Sequence, residues 1–239
     1  MIDCISVENM RRSDACTIAN LVPSLELMYR AAYGVFLAGA WEGHTAIVVG
    51  SGNNGGDGFA LACILKEYHH DCTVFTVSQH LSQDSKYYAE KAVSAGVPVH
   101  PFEAGCLAGY QIVVDCLLGT GFQGQLRKNY RTAIEAINTS TAFVVSVDIN
   151  SGMNGDTGEG DPVVRSDLTV TIGYVKRGLI SSNAGRHMKR LVCADIGIVL
   201  EKEEWKICGK HEKPVEGSFP CPPWLDMHPI NTIPTVKSE

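Results

Sequence analysis

An α/β fold with a doubly wound, mostly parallel sheet and two leading helices is predicted by three features of this 239-residue chain. Short β-rich runs recur at Ala46–Gly50, Cys72–Val77, Gln111–Leu117, Ala142–Asp148, Asp167–Ile172 and Leu191–Ile196. Those between residues 46 and 148 alternate with helical stretches near Gly58–Tyr68, Gln83–Ala95 and Arg127–Asn138, the pattern of parallel strands joined through helices. The first strand runs into the glycine-rich turn "GSGNNGGDG" and then a helix, the context of a Rossmann-like, three-layer α/β/α fold.

Taken in order, the chain opens with a helical alternation from Ser6 to about Leu21. A second helix starts at "PSLELM", where Pro23 and Ser24 are start signals. The helix after the glycine turn, "FALACILKEY", is apolar almost all round, as expected of one packed between a sheet and its neighbours. From Glu201 onward six of the ten prolines gather without periodicity. Residues 1–200 therefore read as one domain, and 201–239 as a proline-rich tail, extended or partly disordered and dispensable for catalysis. In that tail Cys208, His211, Cys221 and His228 lack a regular zinc spacing.

Composition narrows the function. At 45% hydrophobic and 19% charged, the chain can bury a full core. A net charge of −6 without a Lys/Arg cluster argues against nucleic-acid or membrane surfaces and leaves a small-molecule ligand as the default. Nine cysteines without a C-x-x-C pair, several inside apolar runs, suit a reducing compartment. The N-terminus has no signal-peptide core and no run approaches a membrane span of ~20 residues, so the cytoplasm is the expected location.

Gly50, Gly52 and Gly55 fit the dinucleotide fingerprint G-x-G-x-x-G. That fingerprint also calls for an acid at the end of the second strand, where this chain has "CTVFTVSQH", so an ordinary dehydrogenase is disfavoured. Three aspartates carry more information. Asp57 follows the first strand, Asp115 ends "QIVVD" and Asp148 ends "FVVSVD". Adjacent parallel strands would bring all three to the carboxyl edge, where open α/β sheets bind ligands. Singly, Asp57 would also serve as a helix cap and Asp148 as a turn former. Asn54, Asp115 and Ser151 are oxygen donors suited to a hard cation. The segments "LLGTGFQG" and "NSGMNGDTGEG" follow two of the same strands and would leave backbone N–H groups open to phosphate or ribose.

Four ordered motifs, "GSGNNGGDGFA", "VVDCLLGTGFQGQLR", "VDINSGMNGDTGE" and "TVTIGYVKRGL…GR…LVCADIGI", resemble the NAD(P)HX epimerase family, the YjeF N-terminal domain type, across roughly residues 5 to 198. The resemblance implies a stand-alone isomerase that interconverts the R and S forms of hydrated NADH and NADPH. A separate dehydratase would complete the repair. By position it implies that Asn53, Asn54, Gly55, Gly56 and Asp57 contact the dinucleotide. So would Gly119, Thr120, Gly121, Phe122, Gln123, Gly124 and Gln125, while Asp148 faces the damaged nicotinamide. It further implies one potassium ion per subunit, held by Asn54, Asp115 and Ser151, and a homodimer. Asp148, with Asp57 next, is the expected acid–base group. Lys176 matches a family position and reads either as a phosphate neutraliser or as a solvated surface lysine. Three places depart from the family pattern: Ser51 and Asn150 stand for usual prolines, and "LMYRAAYG" for "LMENAG". The alternative from another class is a non-enzymatic scaffold of the same fold, of the decapping or lipoprotein-binding type.

Overall fold

The computed structural model describes residues 2–122, 124–200, 218–219, 222–226 and 228–232. Helices α1 (Val7–Asn20) and α2 (Ser24–Ala38) come before the main sheet, as expected. Ser6 caps α1 by accepting the Asn9 N–H at 3.1 Å. Next follow β2 (Thr45–Val49), α3 (Asn53–Glu67), β3 (Cys72–Thr76), α4 (Gln83–Ser94) and β4 (Val99–Pro101). Then come β5 (Ile112–Cys116), α5 (Lys128–Thr139), β6 (Phe143–Val147), β7 (Leu168–Ile172) and β8 (Leu191–Asp195). A two-residue strand β10 (Ile230–Asn231) completes an eight-stranded parallel sheet in the order β10-β8-β7-β6-β5-β2-β3-β4. Separately, β1 (Ile2–Asp3) pairs antiparallel with β9 (Ser218–Phe219).

Alternation along the strands divides the core. Ile47 and Val49 point into a layer with α2, α3 and α4, whereas Ala46 and Val48 point to Tyr130, Ala133, Ile134 and Ile137 of α5. On the α5 side, loops after β6 and β7 continue the layer, burying Ile149, Met153, Val175 and Leu179.

Helix α3 starts at Asn53, five residues before the expected Gly58, because its glycines serve packing within the first turns. A Cβ at Gly55 would lie 2.3 Å from the Gly50 carbonyl oxygen, and one at Gly58 would lie 2.7 Å from Val49 Cγ1. This close approach lets α3 sit directly on the sheet.

The described parts of the 201–239 segment are attached to the domain. Leu225 is buried, and the Trp224 indole donates to the Leu179 carbonyl at 3.2 Å while its ring covers Gly185. Thr232 donates to the Asp195 carbonyl through both its N–H and its hydroxyl. Trp205, Cys208, His211 and Cys221 lie outside the described residues. Among the described residues no helix is long and apolar enough to cross a membrane.

Candidate active site

A cavity of about 580 Å³ opens where the strand order reverses between β2 and β5. This is the ligand crevice of an open parallel sheet. Its volume falls within the usual range for small-molecule sites. Asn53, Asn54, Asp57 and Asp148 line it, with Gly119, Thr120, Gly121, Phe122 and Gln125 on the loop after β5. Gly55 and Gly56 are buried against Gly50 and Met28 instead, and Gly124 lines a second cavity that shares Phe122 and Gln125 with the first. Gln123 lies outside the described residues.

Asp148 is the first residue after β6 and takes φ 68°, in the left-handed region that non-glycine residues seldom occupy. Its N–H is tied to the Val170 carbonyl at 2.8 Å. Oδ2 accepts the Thr120 N–H at 3.0 Å, and Oδ1 accepts from Lys176 Nζ at 2.5 Å. Gly119 is required beside this carboxylate, since a Cβ there would lie 2.7 Å from Oδ2.

Lys176 corrects both sequence readings of it. It is fully buried, neither solvated nor reserved for phosphate, and its ammonium also donates to the Ile172 carbonyl at 2.7 Å and to Thr171 Oγ1 at 3.1 Å. All three of its protons are used.

Asp57 lies in the second turn of α3, whose cap is Gly52, so it does not cap the helix. Burial, then the neighbouring Asp148 and Asp14, push its carboxyl well above the usual carboxylate range, with only Lys176 opposing. Asp14, which the sequence reading passed over, lines the same cavity from α1. Burial raises its carboxyl, and Asp148 adds to the rise. One signal was available: Asp14 lies four residues after the buried Met10, on the inward stripe of α1.

Asp115 and Ser151 stand behind the wall. Asp115 is fully buried and accepts from Ser151 Oγ (2.5 Å), Ser151 N (2.9 Å), Ser146 Oγ (2.9 Å) and Leu117 N (3.2 Å). Burial raises its carboxyl, and these donors pull it back. Ser151 Oγ also accepts the N–H of Leu118, a wall residue, at 2.9 Å. Asn54, only 8% exposed, has no partner for either amide atom among the described residues. A buried carboxylate met by neutral donors, and an orphaned amide oxygen on the cavity lining, suit a singly charged hard cation. Among the described residues no cluster of His, Cys, Asp and Glu competes for another metal.

The N-terminus of α3 has no side-chain cap, and a Cβ at Gly52 would meet nothing within 4 Å, so first-turn N–H groups remain for an anion. The loop after Asp148 does not form the expected cradle. Its N–H groups at Asp156 and Thr157 bind Asn154 Oδ1, that of Glu159 binds Thr157 Oγ1, and that of Ser151 binds Asp115. Asp156 then accepts the Val7 N–H at 2.9 Å, fastening α1 to the sheet domain.

The departures from the family pattern have local explanations. Ser51 donates its N–H to the Tyr130 hydroxyl at 3.0 Å, a bond closed to proline. Asn150 is fully buried and fully satisfied, donating to Val164 O, Ser166 Oγ and His187 O and accepting from Thr169. In "LMYRAAYG", Met28 and Ala31 still line the cavity, while Tyr29 and Tyr33 stack on one another with centroids 6.0 Å apart.

Fold and cavity together define a Rossmann-like α/β protein with a ligand site rich in carboxyl groups at its topological switch. The chain belongs to the family described as YjeF-related protein N-terminus, which matches residues 24–178. It is 38% identical over 167 residues to an NAD(P)H-hydrate epimerase of Rhodopirellula baltica, covering 67% of this chain and 68% of that one. With an NAD(P)H-hydrate epimerase of Limosilactobacillus fermentum it shares 34% identity, covering 80% of this chain and 95% of that one. A bifunctional NAD(P)H-hydrate repair enzyme Nnr of Archaeoglobus fulgidus is 38% identical over 161 residues, and the match covers 32% of that enzyme. The crystal structure of yeast ynu0 (YNL200c) shares the fold, with a TM-score of 0.73 at 21% identity over 91% of this chain and 98% of that one.

Proposed function

We propose that the chain is an NAD(P)H-hydrate epimerase, an isomerase that interconverts the R and S forms of NADH and NADPH hydrated at C6 of the nicotinamide ring. The observation that carries this reading is one cavity that joins Asp57 and Asp14, whose carboxyl groups accept no hydrogen bond among the described residues, to a helix N-terminus without a side-chain cap. The similarity to epimerases of comparable length supports it.

The chemistry needs no redox step. The ring nitrogen expels the C6 oxygen, a proton joins that oxygen, and water leaves an iminium cation behind. Water then adds to the other face and loses a proton. Asp57 suits the proton-holding role, because burial and two neighbouring carboxyl groups raise its carboxyl well above the usual carboxylate range. Asp148, paired with Lys176, suits a fixed negative charge facing the cation. This divides between two residues the role that sequence alone gives first to Asp148. The α3 N-terminus and Gly52 suit a phosphate of the dinucleotide.

Asn54, with Asp115 and Ser151 behind the wall, would hold a potassium ion. When bound, that ion supplies the positive charge that Asp115 otherwise lacks. A cytoplasmic setting and a separate dehydratase that consumes one epimer belong to the same reading. The decisive experiment is incubation with one purified NADHX epimer and chromatography for the other. No appearance of the second epimer sinks the proposal.

A further inference from the structure

We propose that Asp14 of α1 is a second acid–base residue, serving the face of the nicotinamide ring opposite the one Asp57 serves. This rests on the epimerase reading above.

Epimerisation at one carbon needs both faces of the ring. The leaving oxygen departs from one side, and the new oxygen arrives from the other. A single carboxyl group on a fixed helix reaches one side of a bound planar ring, so opposite faces are best served from different elements. Asp57 and Asp14 meet this demand, coming from α3 and α1 to line one cavity. Among the described residues neither carboxyl accepts a protein hydrogen bond, whereas Asp148 is engaged by Lys176 and Thr120. In the same cavity Asn54 is 8% exposed, with both amide atoms unpartnered among the described residues, an independent sign that a polar ligand completes the site.

Helix α1 holds Asp14 in place from both ends. Before it, Val7 N–H is bound to Asp156 at 2.9 Å. After it, Thr17 Oγ1 accepts the Val199 N–H at 3.0 Å and donates to Ser13 O at 2.8 Å. The charged groups sharing its cavity are Asp57, Asp148 and Lys176, with Arg11, Asp84 and Arg127 elsewhere on the wall.

The step balances. One carboxylic acid gives its proton to the C6 oxygen as the C–O bond breaks, releasing water and becoming a carboxylate. The other, ionised, takes a proton from the incoming water as the new C–O bond forms. Each direction of the reaction exchanges the two roles, and solvent restores the starting protonation.

The test compares wild type with Asp14→Asn and Asp14→Glu, using single NADPHX epimers across a pH series. Asp14→Asn should lower kcat by about 10²-fold with KM little changed, and should remove one limb of the pH–rate profile. Asp14→Glu should recover part of the rate and restore that limb. The melting temperature of Asp14→Asn should stay at or above that of wild type, since the carboxyl makes no protein hydrogen bond to lose. An active wild type alongside an Asp14→Asn variant that keeps both kcat and the full profile overturns this inference alone. An inactive wild type overturns the epimerase reading and this inference together.

Discussion

Lys176 Nζ lies 2.5 Å from Asp148 Oδ1, and the lysine is fully buried. Removing one member of such a pair strands a charge and typically costs about 3–5 kcal/mol. Lys176→Met should therefore lower the urea midpoint substantially, and adding Asp148→Asn should recover most of the loss. A double variant no more stable than Lys176→Met would show that the pair is not what holds this corner together.

The raised carboxyl of Asp57 ties stability to pH. In the unfolded chain it titrates near 3.8, and in the folded chain well above that. Between those values the native state keeps a proton that the unfolded state has lost, so stability falls as pH rises through the window and stays lower above it. Asp57→Asn should thus match wild type at about pH 3 and melt at a higher temperature at about pH 7. Its turnover should drop by ~10²-fold. A thermal shift that is the same at both pH values would contradict the assignment.

Asn54, with two unpartnered amide atoms, and the buried Asp115 make a cation prediction. Potassium should raise the melting temperature more than tetramethylammonium at equal ionic strength, and Asn54→Leu should abolish the difference. Equal stabilisation of wild type by both ions removes the case for a specific site.

Truncation after residue 200 separates stability from catalysis. None of the described residues beyond 200 lines the cavity, yet Trp224 and Leu225 pack on the domain and β10 covers the edge of β8. The truncated chain should melt several degrees lower and keep near wild-type turnover per folded molecule. Trp224→Ala should reproduce part of the loss, about 2 kcal/mol, less than for a fully buried tryptophan. If dinucleotide binding disappears while the core stays folded by circular dichroism, the segment contributes to the site.

What the sequence made legible was the part governed by short-range pattern. The apolar runs at 45–49, 112–116 and 143–147 mark themselves by β-rich composition, so the strands followed, with Asp115 and Asp148 at the carboxyl ends of two of them. β4 and β10, three and two residues long, hold their form through pairing with neighbours, which leaves no mark in local composition. Lys176 looked like a surface residue because its partner Asp148 stands 28 positions earlier. Asp14 was missed because an acid on an amphipathic helix reads as solvent-facing. Glycines after Asp148 suggested a ligand cradle, whereas Asn154 and Thr157 already engage the N–H groups there.

The pairing of Ile2 with Phe219, and of Ile230 with Ala194, has a consequence for how the chain is made. During synthesis Ile2 leaves the ribosome long before its partner Phe219 exists, and β8 presents an open edge until residue 231 has been added. Nascent chains therefore pass through a stage in which the cavity walls are present but the rim of the sheet is bare. Exposed parallel edges are prone to association at that stage, and contacts this far apart in sequence form slowly. Chaperone demand should accordingly concentrate in the interval between the synthesis of β8 and that of residue 231.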